Sequence, residues 1–126
     1  MVRILALDLG QKRTGVAYFD EATGIPLPLA TIAASGDADL LKSVFNLLHE
    51  RSIDRVIIGL QLLPSGSEGS QALWVKSIAD RLEAKGYPVR LIDERYSTPR
   101  NAPSDPDASA AVFLLQSAVE RGLTNS

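Results

Sequence analysis

An α/β fold with a mixed sheet is predicted by three features of this sequence. Two apolar runs near the N-terminus are joined by a glycine-marked turn, as in an antiparallel pair. Further on, short apolar runs alternate with stretches of helical periodicity, as in parallel strands with crossover helices. Ile4-Leu5-Ala6-Leu7 and Val56-Ile57-Ile58 are apolar throughout, as expected of strands covered on both faces. The resulting order is strand, strand, strand, helix, strand, helix, strand, helix. This gives a five-stranded mixed sheet, a three-strand antiparallel meander followed by alternating helices and strands, with helices on both faces. At 126 residues, one domain over residues 1–126 is expected, large enough to bury a core.

The first strand is expected from Val2 to Leu7, ending at Asp8. Gly10 and Gly15 bracket the turn, and the alternation around Val16 and Tyr18 gives a returning strand. Leu27 to Thr31, with Pro26 and Pro28 at its start, suits an edge strand, since proline cannot donate to a ladder. A helix capped by Asp37 or Asp39 runs to about Arg51, with Leu40, Leu41, Val44, Phe45, Leu47 and Leu48 on its apolar face. Val56-Ile57-Ile58 is a short strand ending at Gly59. After a loop from Gln61 to Gly69, Ser67 or Ser70 starts a second helix, with Val75, Ile78, Ala79 and Leu82 on one stripe and Trp74 at its edge. Gly86 and Pro88 stop it. Val89 to Ile92 is the last strand, leading into Asp93-Glu94-Arg95. A Pro- and Ser-rich loop from Tyr96 to Pro106 then precedes a helix opened by Asp105-Pro106-Asp107, with Ala111, Leu114, Leu115 and Ala118 buried.

Composition narrows the chemistry. There is no cysteine, so disulfides, thiolate metal sites and cysteine nucleophiles are excluded. The single histidine, His49, sits near the end of a helix, where a surface role beside the negative end of the dipole is expected. Catalysis must therefore come from carboxylates, hydroxyls, lysines and arginines, a set whose natural cofactor is a hard, oxygen-liganded cation. The formal net charge of −2 gives no global basic field, so contacts to a polyanion must be local. No run is long enough for a membrane span and no signal-peptide pattern opens the chain, so a cytoplasmic protein without membrane contact is expected.

Asp8 ends the first strand and Glu94 ends the last. If the two strands are parallel neighbours or near-neighbours, both carboxylates lie at the sheet edge where α/β proteins bind ligands. The loop after Glu94 keeps Asp107 within reach, and a helix N-terminus favours its ionised form. Three converging carboxylates repel one another, and a divalent cation relieves that repulsion. An isolated strand-end aspartate that only accepts turn N–H bonds is the plainer reading of Asp8.

The motifs resemble a known family. Asp8-Leu9-Gly10, Lys12-Arg13 and Gly15-Val16-Ala17 resemble the opening motif of the YqgF/RuvX family, Holliday-junction-resolvase-like proteins with an RNase H-like fold. Ile57-Ile58-Gly59-Leu60, the loop from Gly66 to Ala72, Asp93-Glu94-Arg95 with Ser97-Thr98, and Asp107 before Ala110-Ala111 follow in the family's order. The resemblance spans essentially the whole chain. It implies a nuclease in which Asp8, Glu94 and Asp107 are catalytic and coordinate Mg²⁺ or Mn²⁺. It also implies phosphate contacts from Lys12, Arg13 and Arg95, with Ser67, Ser97, Thr98 and Arg100 near the nucleic acid. The segment between Glu94 and Asp107 is short and keeps only Arg100 of a basic run seen in many relatives.

RNA, as in 5′-end processing of the 16S rRNA precursor, is accordingly favoured over branched DNA, with a pre-ribosomal particle as partner. A monomer or weak homodimer is expected. Three alternatives stand beside this reading. One is a junction resolvase, which would call for paired active sites in a dimer. Another is a non-catalytic RNA-binding assembly factor. The third is a nucleotide-binding fragment of the actin/sugar-kinase superfold, against which the short single domain argues.

Overall fold

The computed structural model describes residues 2–10, 12–60 and 69–93, together with the helical residues Ala111, Val112, Leu114, Leu115, Gln116 and Ala118. The described strands are β1 (Arg3–Asp8), β2 (Arg13–Asp20), β3 (Pro26–Pro28), β4 (Ile32–Ala33), β5 (Arg55–Leu60) and β6 (Val89–Asp93); the helices between them are α1 (Asp37–Glu50) and α2 (Ser70–Ala84). The sheet order is β3-β2-β1-β5-β6, with β4 also on β2. β1 and β2 pair antiparallel, and β1, β5 and β6 run parallel. The mixed α/β architecture expected from the sequence is thus the one observed.

The strand count is corrected from five to six. The expected third strand, Leu27 to Thr31, is two short strands on the same neighbour. Ala17 pairs with Pro28, whereas Thr14 pairs with Ile32. Between these pairs Gly15 and Val16 face three residues, Leu29, Ala30 and Thr31, so one extra residue bulges out. Leu29 N still donates to the Val16 carbonyl at 2.9 Å before the ladder breaks. A bulge of this kind bends its strand and divides it. The Thr31 hydroxyl lies inside it, the one buried side-chain polar atom among the described residues without a hydrogen-bond partner.

Strand alternation sorts the core into two layers. Leu5, Leu7, Val16, Val56 and Ile58 pack beneath α1 and α2, against Leu40, Val44, Leu48, Val75, Ile78 and Leu82. On the opposite face Ile4, Ala6, Ala17, Phe19, Ile57 and Ile92 pack with Ala111, Leu114, Leu115 and Ala118. Helical residues therefore cover both faces, which is why β1 and β5 read as unbroken apolar runs.

The helix ends follow from local chemistry. The first helix starts one residue after Gly36, so neither Asp37 nor Asp39 is the cap. Asp39 Oδ2 instead accepts the Ser35 N–H at 3.1 Å, reaching back in the manner of a capping box. Gly69 precedes α2, whose first residue is Ser70. Trp74 is half-buried against the core and donates from Nε1 to Asp37 Oδ1 at 2.8 Å, tying α2 to the start of α1. Both helices end in the same motif. Tyr87 N donates to Leu82 O and Gly86 N to Glu83 O, with Gly86 at φ 95°. Ile53 N and Ser52 N make the equivalent bonds to Leu48 O and His49 O, with Ser52 at φ 53°.

Ser52 thus adopts a conformation that costs an L-residue about 1–2 kcal/mol, part of which glycine would return as chain entropy. Ser52→Gly is expected to stabilise the protein by roughly 0.5–1 kcal/mol. A higher urea midpoint at unchanged slope would show it.

Candidate active site

Asp8 is the last residue of β1 and is half-buried. Because β1, β5 and β6 are parallel, their carboxyl ends share one edge, outside which open α/β sheets form their ligand crevices. Alternation along β1 gives Asp8 the face of Ile4 and Ala6, the face covered by the C-terminal helical residues. Its antiparallel partner is Gly15. On the other side, the position after the Leu7–Ile58 pair is Gly59. Both glycines are buried. At these two positions the neighbouring strands therefore add no side chain of their own beside the carboxylate.

The turn after Asp8 is held from three sides. Leu9 is buried in the core beneath α1 and α2. Its carbonyl accepts a hydrogen bond from Gln71 Nε2 at 3.1 Å, a contact from the first turn of α2. Ala34, just past β4, donates its N–H to the Lys12 carbonyl at 3.2 Å. Within this turn a Cβ on Gly10 would collide with the Arg13 carbonyl oxygen. Glycine is required there for close approach of backbone to backbone.

Arg13 is exposed and opens β2 opposite Ala33. Two residues from Gly15, it shares the sheet face of Asp8, so the turn brings a cation and a carboxylate to one face of one edge. Lys12 is exposed and precedes the strand. Glu94, Asp107, Arg95, Ser97, Thr98, Arg100 and Ser67 lie outside the described residues. In the chain, Glu94 directly follows Asp93, the end of β6 at the Asp8 edge, and Asp107 precedes the buried Ala111 by four positions. Among the described residues no three acidic or histidine side chains form a metal-holding group. His49 is exposed in the last turn of α1, next to the opposite edge of the sheet.

The RuvX family, described as Holliday junction resolvase, matches residues 2–121. The chain belongs to that family. Among curated relatives, one from Chloroflexus aurantiacus, named "Putative pre-16S rRNA nuclease", is 41% identical over 96 residues, 75% of this chain. That match covers 63% of the relative's own length, so this chain spans less than two thirds of it. A relative of the same name from Anaeromyxobacter dehalogenans is 32% identical, with 95% of this chain and 98% of the relative covered.

Among solved structures, T. thermophilus RuvC in complex with a Holliday junction substrate matches at TM-score 0.63 and 14% identity, covering 97% of each chain. The fowlpox virus Holliday junction resolvase matches at TM-score 0.62 and 16% identity, covering 95% of this chain and 99% of the other. The fold of this RuvX member is RNase H-like, as the resemblance implied.

Two features of the site were not drawn from the sequence. The sequence marks Gly59 as a strand end, but its place beside Asp8 follows only from the β1–β5 register. Gln71 lies within the Gly66 to Ala72 motif, and a glutamine in the first turn of a helix beside a glycine-rich loop is the signal the sequence offers.

Gly10→Ala is expected to force the Arg13 backbone aside and cost about 1–3 kcal/mol. Thermal unfolding against wild type measures this. A fall in Tm is expected, because the obstructing atom belongs to the main chain and not to a flexible side chain.

Proposed function

We propose that this RuvX-family protein is a divalent-metal-dependent nuclease that hydrolyses phosphodiester bonds, with RNA as substrate in 5′-end processing of the 16S rRNA precursor. The observation that carries the reading is Asp8 at the carboxyl edge of three parallel strands, flanked by Gly15 and Gly59 and sharing its face with Arg13. The names of the curated relatives support the same reading.

The donor chemistry fits a hard cation: carboxylate oxygen is offered at the edge, the chain has no thiol, and the one histidine lies elsewhere. Asp8, Glu94 and Asp107 would hold Mg²⁺ or Mn²⁺. Such an ion, when bound, supplies Lewis-acid polarisation of a phosphoryl oxygen and lowers the pKa of a bound water. The protein's own contribution is positional. Arg13 presents a planar guanidinium that can take two phosphate oxygens at once, and Lys12 adds a point charge at the same turn. Arg95, Ser97, Thr98, Arg100 and Ser67 would extend the phosphate contacts. Gly15 and Gly59 add no side chain of their own beside the Asp8 carboxylate. The proposal includes a cytoplasmic setting, a pre-ribosomal particle as partner, and a monomer or weak homodimer. No helix among the described residues is long and apolar enough to cross a membrane.

Cleavage of branched DNA is the second reading, favoured by the family's description as Holliday junction resolvase. Both readings use the same acidic site and differ in substrate.

The test is cleavage of labelled single-stranded RNA, single-stranded DNA and a four-way junction in Mg²⁺ and in Mn²⁺, with Asp8→Asn run beside wild type. Metal-dependent RNA cleavage that falls to background in the variant, at unchanged Tm, is expected. Cleavage retained by Asp8→Asn would overturn the site, and junction cleavage without RNA cleavage would select the second reading.

A further inference from the structure

We infer that Gln71 is a positioning residue for Asp8, an inference that rests on the metal-site reading above. Leu9 lies one residue beyond the last strand residue, and its side chain is buried at 6% exposure. A buried carbonyl beyond a strand end needs a hydrogen-bond partner from elsewhere. Gln71 supplies it from α2, 62 residues further along the chain, at 3.1 Å in a part-buried setting. This bond fixes the plane of the Leu9–Gly10 peptide. That peptide is the first element of the turn through which Asp8 connects to Lys12 and Arg13. Core burial fixes the Leu9 side chain, and the close approach of Gly10 to the Arg13 carbonyl restrains the far side of the same peptide.

The position of Gln71 makes the contact directional. Ala72 and Val75 are buried in the core, so the helix cannot roll to follow a displaced turn. The amide therefore acts as a rigid stop set by the core. A carboxylate that must meet a cation within a few tenths of an ångström is sensitive to such support. Partners bonded to a ligating group itself typically contribute about 10–100-fold in metal affinity or activity; Gln71 holds the peptide next to Asp8, one step further out, so the lower end of that range is expected.

The experiment is a Mn²⁺ titration by calorimetry on the full chain, with Tm measured on every variant. Gln71→Met keeps an unbranched, helix-favouring side chain of similar size and removes the donor. Trp74→Phe serves as the structural control, since it breaks a bond from the same helix to Asp37 and leaves the Gln71–Leu9 bond in place. Mn²⁺ binding by Gln71→Met weakened about 10-fold or more, with the Trp74→Phe affinity unchanged, is expected. Equal affinity of Gln71→Met and wild type, with Asp8→Asn failing to bind, would overturn the positioning role alone. Equal weakening in both variants would reduce Gln71 to a structural residue. No Mn²⁺ binding by wild type would overturn the metal reading and this inference together.

Discussion

A carboxylate stands at the end of a strand that is buried on both faces, and the surrounding structure accommodates that charge. Ile4 to Leu7 are almost inaccessible to solvent, and Asp8 follows them without a break in the ladder. An ionised group beside such a core is tolerable only where the chain stops covering it. The parallel pairing of β1 with β5 and β5 with β6 brings the three strand ends to one edge, where Asp8 is half-buried. Gly15 and Gly59, beside Asp8 on the two neighbouring strands, add no side chain at the level where the carboxylate sits.

The same pairing explains why the two helical layers are needed. Apolar runs such as Val56-Ile57-Ile58 present side chains to both faces, so a single layer would leave half of each strand wet. The layer of α1 and α2 covers one half, and the residues around Leu114 and Leu115 cover the other. Asp8 emerges on the second face, the one covered by the residues that follow Asp107 in the chain.

Much of this was legible in the sequence. Both-sided apolar runs, helical stripes and glycine punctuation are local signals, and they gave the element order and the mixed sheet. The family's motifs pointed to Asp8, Lys12 and Arg13, which the structure gathers in one turn. What was not legible depends on register or on unusual local geometry. The split of the third strand arises from one extra residue opposite Gly15 and Val16, which no alternation pattern announces. Ser52 occupies a left-handed position usually marked by glycine, because the bonds to Leu48 and His49 close the helix regardless of side chain. Gln71 touches Leu9 only once α2 is docked.

We propose that Asp8 binds a divalent cation at the carboxyl edge of the parallel strands. Crystals grown with Mn²⁺ and measured for anomalous scattering test it most directly. The account predicts an anomalous peak within coordination distance of the Asp8 carboxylate, on the sheet face of Ile4 and Ala6. Ordered Mn²⁺ only at other carboxylates, with Asp8 held by protein groups alone, would contradict it.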